Sequence, residues 1–219
     1  EISACLVGSE MCIRDSLMAV ASFTDNDVLN LYGYTYFPQK WSLEAYEFLI
    51  KQGTVISKSF LNSILVTFMG TALGIMVTVL LAYTISRKEL VGRKLIMLFV
   101  FFTMLFNGGM VPTYLMYTQI FHIKNTMWAL LFPHLLVNGF NVLLVRTFFN
   151  ENIPEVLLEA ARIDGAGEIS IFRNVVLPIS KPILATIGLL VGVGYWNDWY
   201  NGLLFVTDVN YYTLQNFLN

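Results

Sequence analysis

The sequence predicts an all-α integral membrane protein, because it is apolar, poor in charge and divided by long uncharged runs. Hydrophobic residues make up 56% of the 219 residues and charged residues 13%, with a mean hydropathy of +0.64. Soluble domains carry roughly 25% charged residues. A backbone in lipid must satisfy its own hydrogen bonds, so uncharged runs of about 20 residues or more are expected to be helices. The net charge of −2 also argues against a nucleic-acid-binding protein.

The first segment, residues 1–16, differs in character from the rest of the chain. It reads EISACLVGSEMCIRDS and contains both cysteines, Cys5 and Cys12. It has no sustained period and no basic region before an apolar run, so it does not fit a signal peptide. Leu6–Ser16 matches the translation of a transposase-type sequencing-library adapter, which predicts a non-native segment. The alternative is a native cytoplasmic N-terminus.

Residues 17–58 are predicted to be the end of a first span followed by an external segment. This segment is aromatic and contains a short helix over Ser42–Lys51, with Ser42 as its cap and Leu43, Tyr46 and Ile50 on one face. Two explanations remain open for the aromatic residues: an interfacial belt or contact with an external partner.

Residues 59–205 are predicted to form the membrane domain, with spans at about 60–85, 95–117, 126–146 and 182–204. Two Gly-x-x-x-Gly patterns, which begin at Gly70 and Gly188, permit close helix approach. Breaks are possible at Asn107-Gly108-Gly109 and at Pro133. Residues 206–219 are predicted to be external.

The charges of the connections orient these spans. The connection that contains Arg87, Lys88, Arg93 and Lys94 is short and basic, so it is predicted to be cytoplasmic. Strict alternation then places residues 150–181, which we call the polar loop, on the same side.

The polar loop reads NENIPEVLLEAARIDGAGEISIFRNVVLPISK. Asn152 and Glu155 fit a capping box around Pro154. The loop is predicted to contain a helix with an apolar stripe, a left-handed turn that ends it, and a second helix stopped at Leu177-Pro178. Arg162 is placed to offset Glu159 only. The residues alone leave two interpretations open: a solvated surface hairpin or a docking element for another protein. The stripe comprises Ile153, Val156, Leu157 and Ala160, the turn is at Gly165, and the second helix covers about Glu168–Val176.

This loop resembles the cytoplasmic signature of ABC importer permeases. That signature is Glu-Ala-Ala, three residues, Gly, nine residues, and Ile-x-Leu-Pro. Its counterparts here are Glu159, Ala160, Ala161, Gly165, Val175, Leu177 and Pro178, with Val175 in place of Ile. The resemblance extends over nearly all of residues 17–219. ARIDGAG, LPISKP and YWNDWYNGLLF are similar to the carbohydrate-uptake, maltose-type branch, and YFPQKWSLEAY is similar to an oligosaccharide-type subgroup.

The resemblance implies a maltose-type transmembrane bundle with a cytoplasmic coupling-helix loop, in the bacterial cytoplasmic (inner) membrane. It implies that Glu159 and its neighbours contact an ATPase and that Gly165 forms the turn between two coupling helices. Such permeases normally have six spans, so the chain is predicted to be a fragment without the first and last. The implied partners are an ABC ATPase dimer, a second homologous permease, an extracellular or periplasmic solute-binding protein and lipid.

No catalytic, metal or cofactor site is expected, because no G-x-x-x-x-G-K-[ST] motif and no H-E-x-x-H motif is present. ATP and Mg are expected on the partner ATPase. His134 is a candidate for the translocation pathway, with helix–helix hydrogen bonding as the alternative. Trp196, Asn197 and Asp198 combine an aromatic face with hydrogen-bonding groups, as sugar sites do, or form an outer aromatic belt.

Two other classes of protein are alternatives to an ATP-driven permease. A secondary transporter needs intramembrane ionisable groups, and the three uncharged runs 59–86, 95–123 and 125–145, which make up nearly all of the first three spans, contain no Asp, Glu, Lys or Arg. An intramembrane enzyme needs an acid–base pair or a metal set. An ABC permease for a non-sugar solute is the third alternative.

Overall fold

The computed structural model describes residues 2–106, 108–133 and 136–218, which are mostly helical. Within these ranges the β-structure is one isolated bridge between Thr24 and Trp41. The chain divides into two compact units, Glu1–Ser57 and Lys58–Asn219. The α-helices are α1 (Ile2–Ser22), α2 (Asn26–Tyr32), α3 (Glu44–Lys51), α4 (Gly53–Ser86), α5 (Arg93–Leu105), α6 (Met110–Leu115), α7 (Trp128–Leu131), α8 (Gly139–Asn152), α9 (Glu155–Ile163), α10 (Glu168–Ile171), α11 (Leu177–Ile179), α12 (Lys181–Trp196), α13 (Tyr200–Phe205) and α14 (Leu214–Leu218). Two π-helical turns (Met116–Ile120 and Phe172–Val176) and a 3₁₀ turn (Val209–Tyr211) complete the list.

In the first unit, α1 runs without a break through the segment that showed no sequence period. Asp25 caps α2 by accepting a hydrogen bond from the Asp27 amide at 3.1 Å. Its carboxylate also pairs with Lys40, and this hydrogen bond is the main cause that lowers the pKa of Asp25. The pair therefore holds the connection after α2 against the start of that helix.

The short helix predicted within residues 17–58 begins later than expected. It starts at Glu44 rather than Ser42, and Leu43 is the residue that flanks its first turn. The Ser42 hydroxyl still accepts a hydrogen bond from the Glu44 amide, at 3.1 Å. Leu43, Tyr46 and Ile50 are exposed.

In the second unit, α4 contains the first predicted span as one continuous helix. Among the described residues it is the one helix long and apolar enough to cross a membrane by itself. The count rises to three if the bent pairs Arg93–Leu105 with Met110–Ile120 and Glu168–Ile179 with Lys181–Trp196 are each one span. The first of these pairs breaks at the predicted glycines, where Gly109 has φ +82; Asn107 lies outside the described residues.

The third predicted span, 126–146, is not a continuous helix. The helix α7 ends at Leu131, and α8 begins only at Gly139. Pro133 cannot donate a backbone hydrogen bond, and the side chain of Asn138 accepts one from the Phe140 amide at 2.9 Å, which starts a new helix. The fourth predicted span is divided as well, because α12 ends at Trp196 and α13 starts at Tyr200.

The two glycine patterns pack α4 against α12. A Cβ atom added at Gly70 would lie 2.5 Å from the Tyr195 ring, and one at Gly74 would lie 3.2 Å from Val191. From the other helix, a Cβ atom at Gly192 would lie 3.3 Å from the Thr71 hydroxyl. The predicted close approach is therefore present, and it places the helix that follows the polar loop directly against α4.

Candidate functional site

The polar loop begins with α9, whose start differs from the predicted capping box. Asn152 belongs to the end of α8, and its side chain donates a hydrogen bond to the Phe148 carbonyl at 3.1 Å. Pro154 is the flanking residue, with the extended ψ of 134. The Glu155 carboxylate does not return to the helix start, because it accepts a hydrogen bond from Lys88 Nζ at 2.7 Å.

Gly165 ends α9 in the predicted way. It has φ +80, a left-handed conformation that favours glycine. Its amide donates to the Arg162 carbonyl at 3.0 Å, and the Ala166 amide donates to the Ala161 carbonyl at 3.0 Å. These two bonds form a Schellman motif, so the turn is closed by its own backbone.

The second helical segment continues past the predicted stop. It runs from Glu168 to Ile179 through a π-helical turn over Phe172–Val176, and it bends by 80° into α12. Pro178 is tolerated because it lies in the first turn of α11, just after the π turn, where a missing donor costs little. The bend is at Ser180, whose hydroxyl donates to the Val176 carbonyl at 2.6 Å.

The buried face of α9 is not the predicted apolar stripe. Leu158 is buried, as is Ile153 just before the helix, and both belong to the core. Val156, Leu157 and Ala160 are exposed. The error has a physical reason: α9 has apolar residues on two faces, and spacing alone does not say which of them meets the bundle.

The exposed face of α9 consists of Val156, Glu159, Ala160 and Ile163, at helical positions i, i+3, i+4 and i+7; we call it the outer face of α9. Val156 is 74% exposed and Ile163 is 86% exposed. Glu159 has no hydrogen bond or ion pair to any of the described residues, in contrast with the other two glutamates of the loop segment 155–168. Two of the three predicted residues in the second helical segment are less exposed than this face. Val175 and Leu177 are half-buried, and Pro178 is exposed.

Arg162 joins the two helical segments of the polar loop to each other and to the connection between α4 and α5. It pairs with Glu89 and, at 2.9 Å, with Glu168, and not with Glu159 as the sequence suggested. The Tyr83 hydroxyl donates to the other oxygen of Glu168 at 2.8 Å. These two donors, first the hydroxyl and then the guanidinium, lower the pKa of Glu168, so its carboxylate stays charged.

A second connection joins the same elements. Lys88 lies 2.7 Å from Glu155, and this hydrogen bond is the main cause that lowers the pKa of Glu155. Because Lys88 and Glu89 are adjacent, one short segment contacts α9 at both ends. The side of α9 that carries Glu155 and Arg162 is thus attached to the connection between α4 and α5, while the outer face of α9 is exposed.

The candidate pathway residues lie at the break between α12 and α13. Trp196 is half-buried and meets Phe60 edge-on, with ring centroids 6.0 Å apart. The Asn197 side chain donates to the Val193 carbonyl of its own helix at 3.1 Å. Asp198 accepts hydrogen bonds from the Asn201 backbone and side chain, at 3.2 and 2.8 Å. His134, the remaining candidate, lies outside the described residues.

Two polar residues of this region were missed from sequence. The Asn201 side chain also donates to the Pro133 carbonyl at 3.1 Å, and the Tyr195 hydroxyl donates to the Leu131 carbonyl at 2.8 Å. Both carbonyls lose their helical partners where α7 ends, so side chains from the next span satisfy them. The signal available in the sequence was a tyrosine and an asparagine, Tyr195 and Asn201, on either side of the break in the fourth span. Tyr83, Lys88, Glu89 and Glu168 were missed because their partners are distant in sequence.

The sequence and the fold are similar to those of known transport proteins. Residues 70–216 match the family described as binding-protein-dependent transport system inner membrane component. Protein LplC of Bacillus subtilis (strain 168) is 37% identical over 209 residues, which cover 95% of this chain and 70% of the relative. The polygalacturonan/rhamnogalacturonan transport system permease protein YtcP of the same organism is 38% identical over 206 residues, with 94% and 71% covered. A crystal structure of a bacterial ABC transporter involved in the import of the acidic polysaccharide alginate matches with a TM-score of 0.84 and 27% identity, and the match covers 99% of this chain and 77% of that one.

Proposed function

The chain belongs to the binding-protein-dependent transport system inner membrane component family, and we propose that its polar loop is where a separate ATPase subunit drives saccharide import. The family is one of membrane transport subunits, so a solute-binding protein and an ATPase are its partners. Within that frame the chain is a permease subunit of an ABC sugar importer. The bacterial cytoplasmic membrane, a second homologous permease and a dimeric ATPase that holds ATP and Mg are further parts of the proposal.

The observation that carries the proposal is the contrast between the two sides of α9. Its outer face exposes Val156 and Ile163 beside Glu159, whose carboxylate has no partner among the described residues. Exposed apolar side chains that cluster outside the spans are typical of a protein–protein contact. A carboxylate at the centre of that face favours a partner with a basic cleft.

The attached side of α9 supplies the route by which a force on the loop would reach the membrane. Lys88 and Glu89 hold α9 through Glu155 and Arg162, and Tyr83 holds the second segment through Glu168. Displacement of α9 by closure of the ATPase dimer would therefore move the end of α4 and the start of α5 with it. The resulting change of access is between an inward-facing and an outward-facing cavity.

The proposed cargo is a saccharide, supported by the relatives and by the aromatic residues near Trp196. The YtcP and alginate relatives are named for acidic polysaccharides. The runs Ser59–Ser86 and Leu95–Ile123 contain no Lys or Arg that could neutralise a uronate. The proposal therefore stays at the class of saccharides and assigns recognition of acidic groups to the binding protein or the second permease.

Charge reversal at Glu159 tests the coupling role. In cells that express the complete importer, Glu159→Lys is expected to abolish uptake and substrate-stimulated ATP hydrolysis while the chain still inserts into the membrane. The matched control is Glu44→Lys, which changes the net charge equally from an exposed position of α3 that lies outside the polar loop. Unchanged uptake and unchanged ATPase stimulation in Glu159→Lys would rule out the assignment.

A further inference from the structure

A cavity of about 410 Å³ lies beside the polar loop, where the end of α4, the start of α5, the end of α8 and the start of α9 meet. The function proposed above uses the ion pairs of four of its lining residues, Lys88, Glu89, Glu155 and Arg162, but assigns no ligand to the cavity. Charged side chains dominate its lining: the cations Arg87, Lys88, Arg93, Arg146 and Arg162, and the carboxylates of Glu89, Glu151 and Glu155.

The pairing of these groups leaves an excess of positive charge. Lys88 is paired with Glu155, and Arg162 is paired with Glu89 and with Glu168 outside the cavity. Arg87, Arg93 and Arg146 form no ion pair with any of the residues that the structure describes. Arg87 instead lies over the Tyr83 ring, 4.3 Å from its centroid. Glu151, which is exposed, is the one carboxylate of the lining without an ion pair to the described residues.

Two of the arginines have a buried donor without an acceptor. The Nε atoms of Arg87 and Arg146 are inaccessible to solvent and have no hydrogen-bond partner within the described part of the chain. An unsatisfied buried donor costs about 1–3 kcal/mol, and more when the group is charged. Arg87 and Arg146 line the same cavity, so two guanidinium groups with incomplete hydrogen bonding and no ion pair among the described residues lie at one site.

We propose that this cavity binds the phosphate group of an anion at the inner surface of the membrane. Guanidinium groups present planar, paired donors that match phosphate oxygens, and three unpaired arginines suit a group with one or two negative charges. The cytoplasmic leaflet supplies such groups as anionic lipid headgroups, and the cytoplasm supplies them as free phosphate. The unpaired arginines are not on the outer face of α9, so this site and the proposed ATPase contact use different residues.

Binding and stability measurements on the purified full chain in detergent micelles test the site. Phosphatidylglycerol is compared with phosphatidylcholine, and sodium phosphate with sodium chloride at equal ionic strength. The readouts are bound lipid by native mass spectrometry and the midpoint temperature of unfolding. Stabilisation by phosphatidylglycerol alone identifies a lipid headgroup, and stabilisation by phosphate as well identifies the free anion as a sufficient ligand.

The arginine variants separate this cavity from general surface charge. Arg146→Gln is expected to weaken the binding of whichever ligand stabilises the chain by about fivefold, which is the effect of one cation near an anionic headgroup. Arg173→Gln is the matched control, because Arg173 is exposed and does not line the cavity. Arg146→Lys retains the charge without the planar donors, and it serves where the glutamine variant does not fold. Absence of any response to phosphatidylglycerol and phosphate, or an equal loss in Arg173→Gln, would overturn the proposal.

Discussion

Replacement of Gly70 by alanine should destabilise the membrane domain, because Gly70 is where α4 meets the Tyr195 ring. The added Cβ atom would lie 2.5, 2.6 and 2.7 Å from Cζ, Cε1 and Cε2 of that ring. Carbon atoms in good contact are about 3.5–4.0 Å apart, so the ring or the helix must move by at least about 1 Å. The ring has little room, since Tyr195 is 3% exposed and its hydroxyl is bonded to the Leu131 carbonyl.

The expected magnitude follows from three contributions. Overpacking of this kind costs about 1–3 kcal/mol. Displacement of the Tyr195 hydroxyl from the Leu131 carbonyl adds about 1 kcal/mol. The better helix propensity of alanine offsets about 0.5–1 kcal/mol. The net loss of unfolding free energy for Gly70→Ala is therefore about 1–3.5 kcal/mol.

Equilibrium unfolding in mixed micelles with increasing sodium dodecyl sulfate measures this loss. Gly188→Ala is the matched control in the partner helix, because its Cβ atom would meet only the flexible end of Ile75 at 3.2 Å. Tyr195→Leu removes the three ring atoms that clash, so Gly70→Ala should cost at least about 1 kcal/mol less in that background. Equal stability of Gly70→Ala and the wild type, or strict additivity in the double variant, would refute the packing argument.

The polar loop yields three further expectations. Gly165→Ala should destabilise the turn by about 1 kcal/mol, because Gly165 has φ +80. Gly167→Ala should be tolerated, because Gly167 has φ −70 and open space around it. Hydrogen exchange of the loop compares the two variants, and equal protection in both would contradict this expectation. Lys88→Glu should reduce uptake, and its combination with Glu155→Lys should restore it, because the pair is re-formed with reversed charges. The pKa of Glu155 is lowered below its ordinary 4.5, so this contact stabilises the fold above about pH 4.5 and is lost as pH falls through the lowered pKa. Hydrogen exchange that protects α9 equally before and after Glu155 is protonated would oppose the assignment.

The sequence predicted those features that depend on neighbouring residues. The apolar run of α4, the break at Gly108-Gly109 and the left-handed turn at Gly165 are each encoded within a few positions. The Gly-x-x-x-Gly patterns also predicted a close helix contact, although not the identity of the partner helix. Local chemistry was sufficient in each of these cases.

The features that the sequence did not predict depend on residues far along the chain. The capping box at Asn152 fits the local pattern, but Lys88, 67 residues away, takes the Glu155 carboxylate. Glu159 is a good local partner for Arg162, yet Glu89 and Glu168 hold that guanidinium. In both cases an ion pair with the connection between α4 and α5 replaces the contact expected within the helix. Spacing alone carries no information about such distant partners.

The misassigned stripe of α9 has a different origin, which bears on how the loop works. A surface helix that packs only on its own protein has one apolar face, and its periodicity identifies that face. In α9 the core takes Leu158, while Val156 and Ile163 remain on the opposite side. A helix that must hold its own bundle and also present a contact to another subunit needs apolar residues on both sides. The ambiguity in the sequence is therefore what the proposed role requires, since an α9 with one apolar face could be attached to α4 or docked on an ATPase, but could not connect the two.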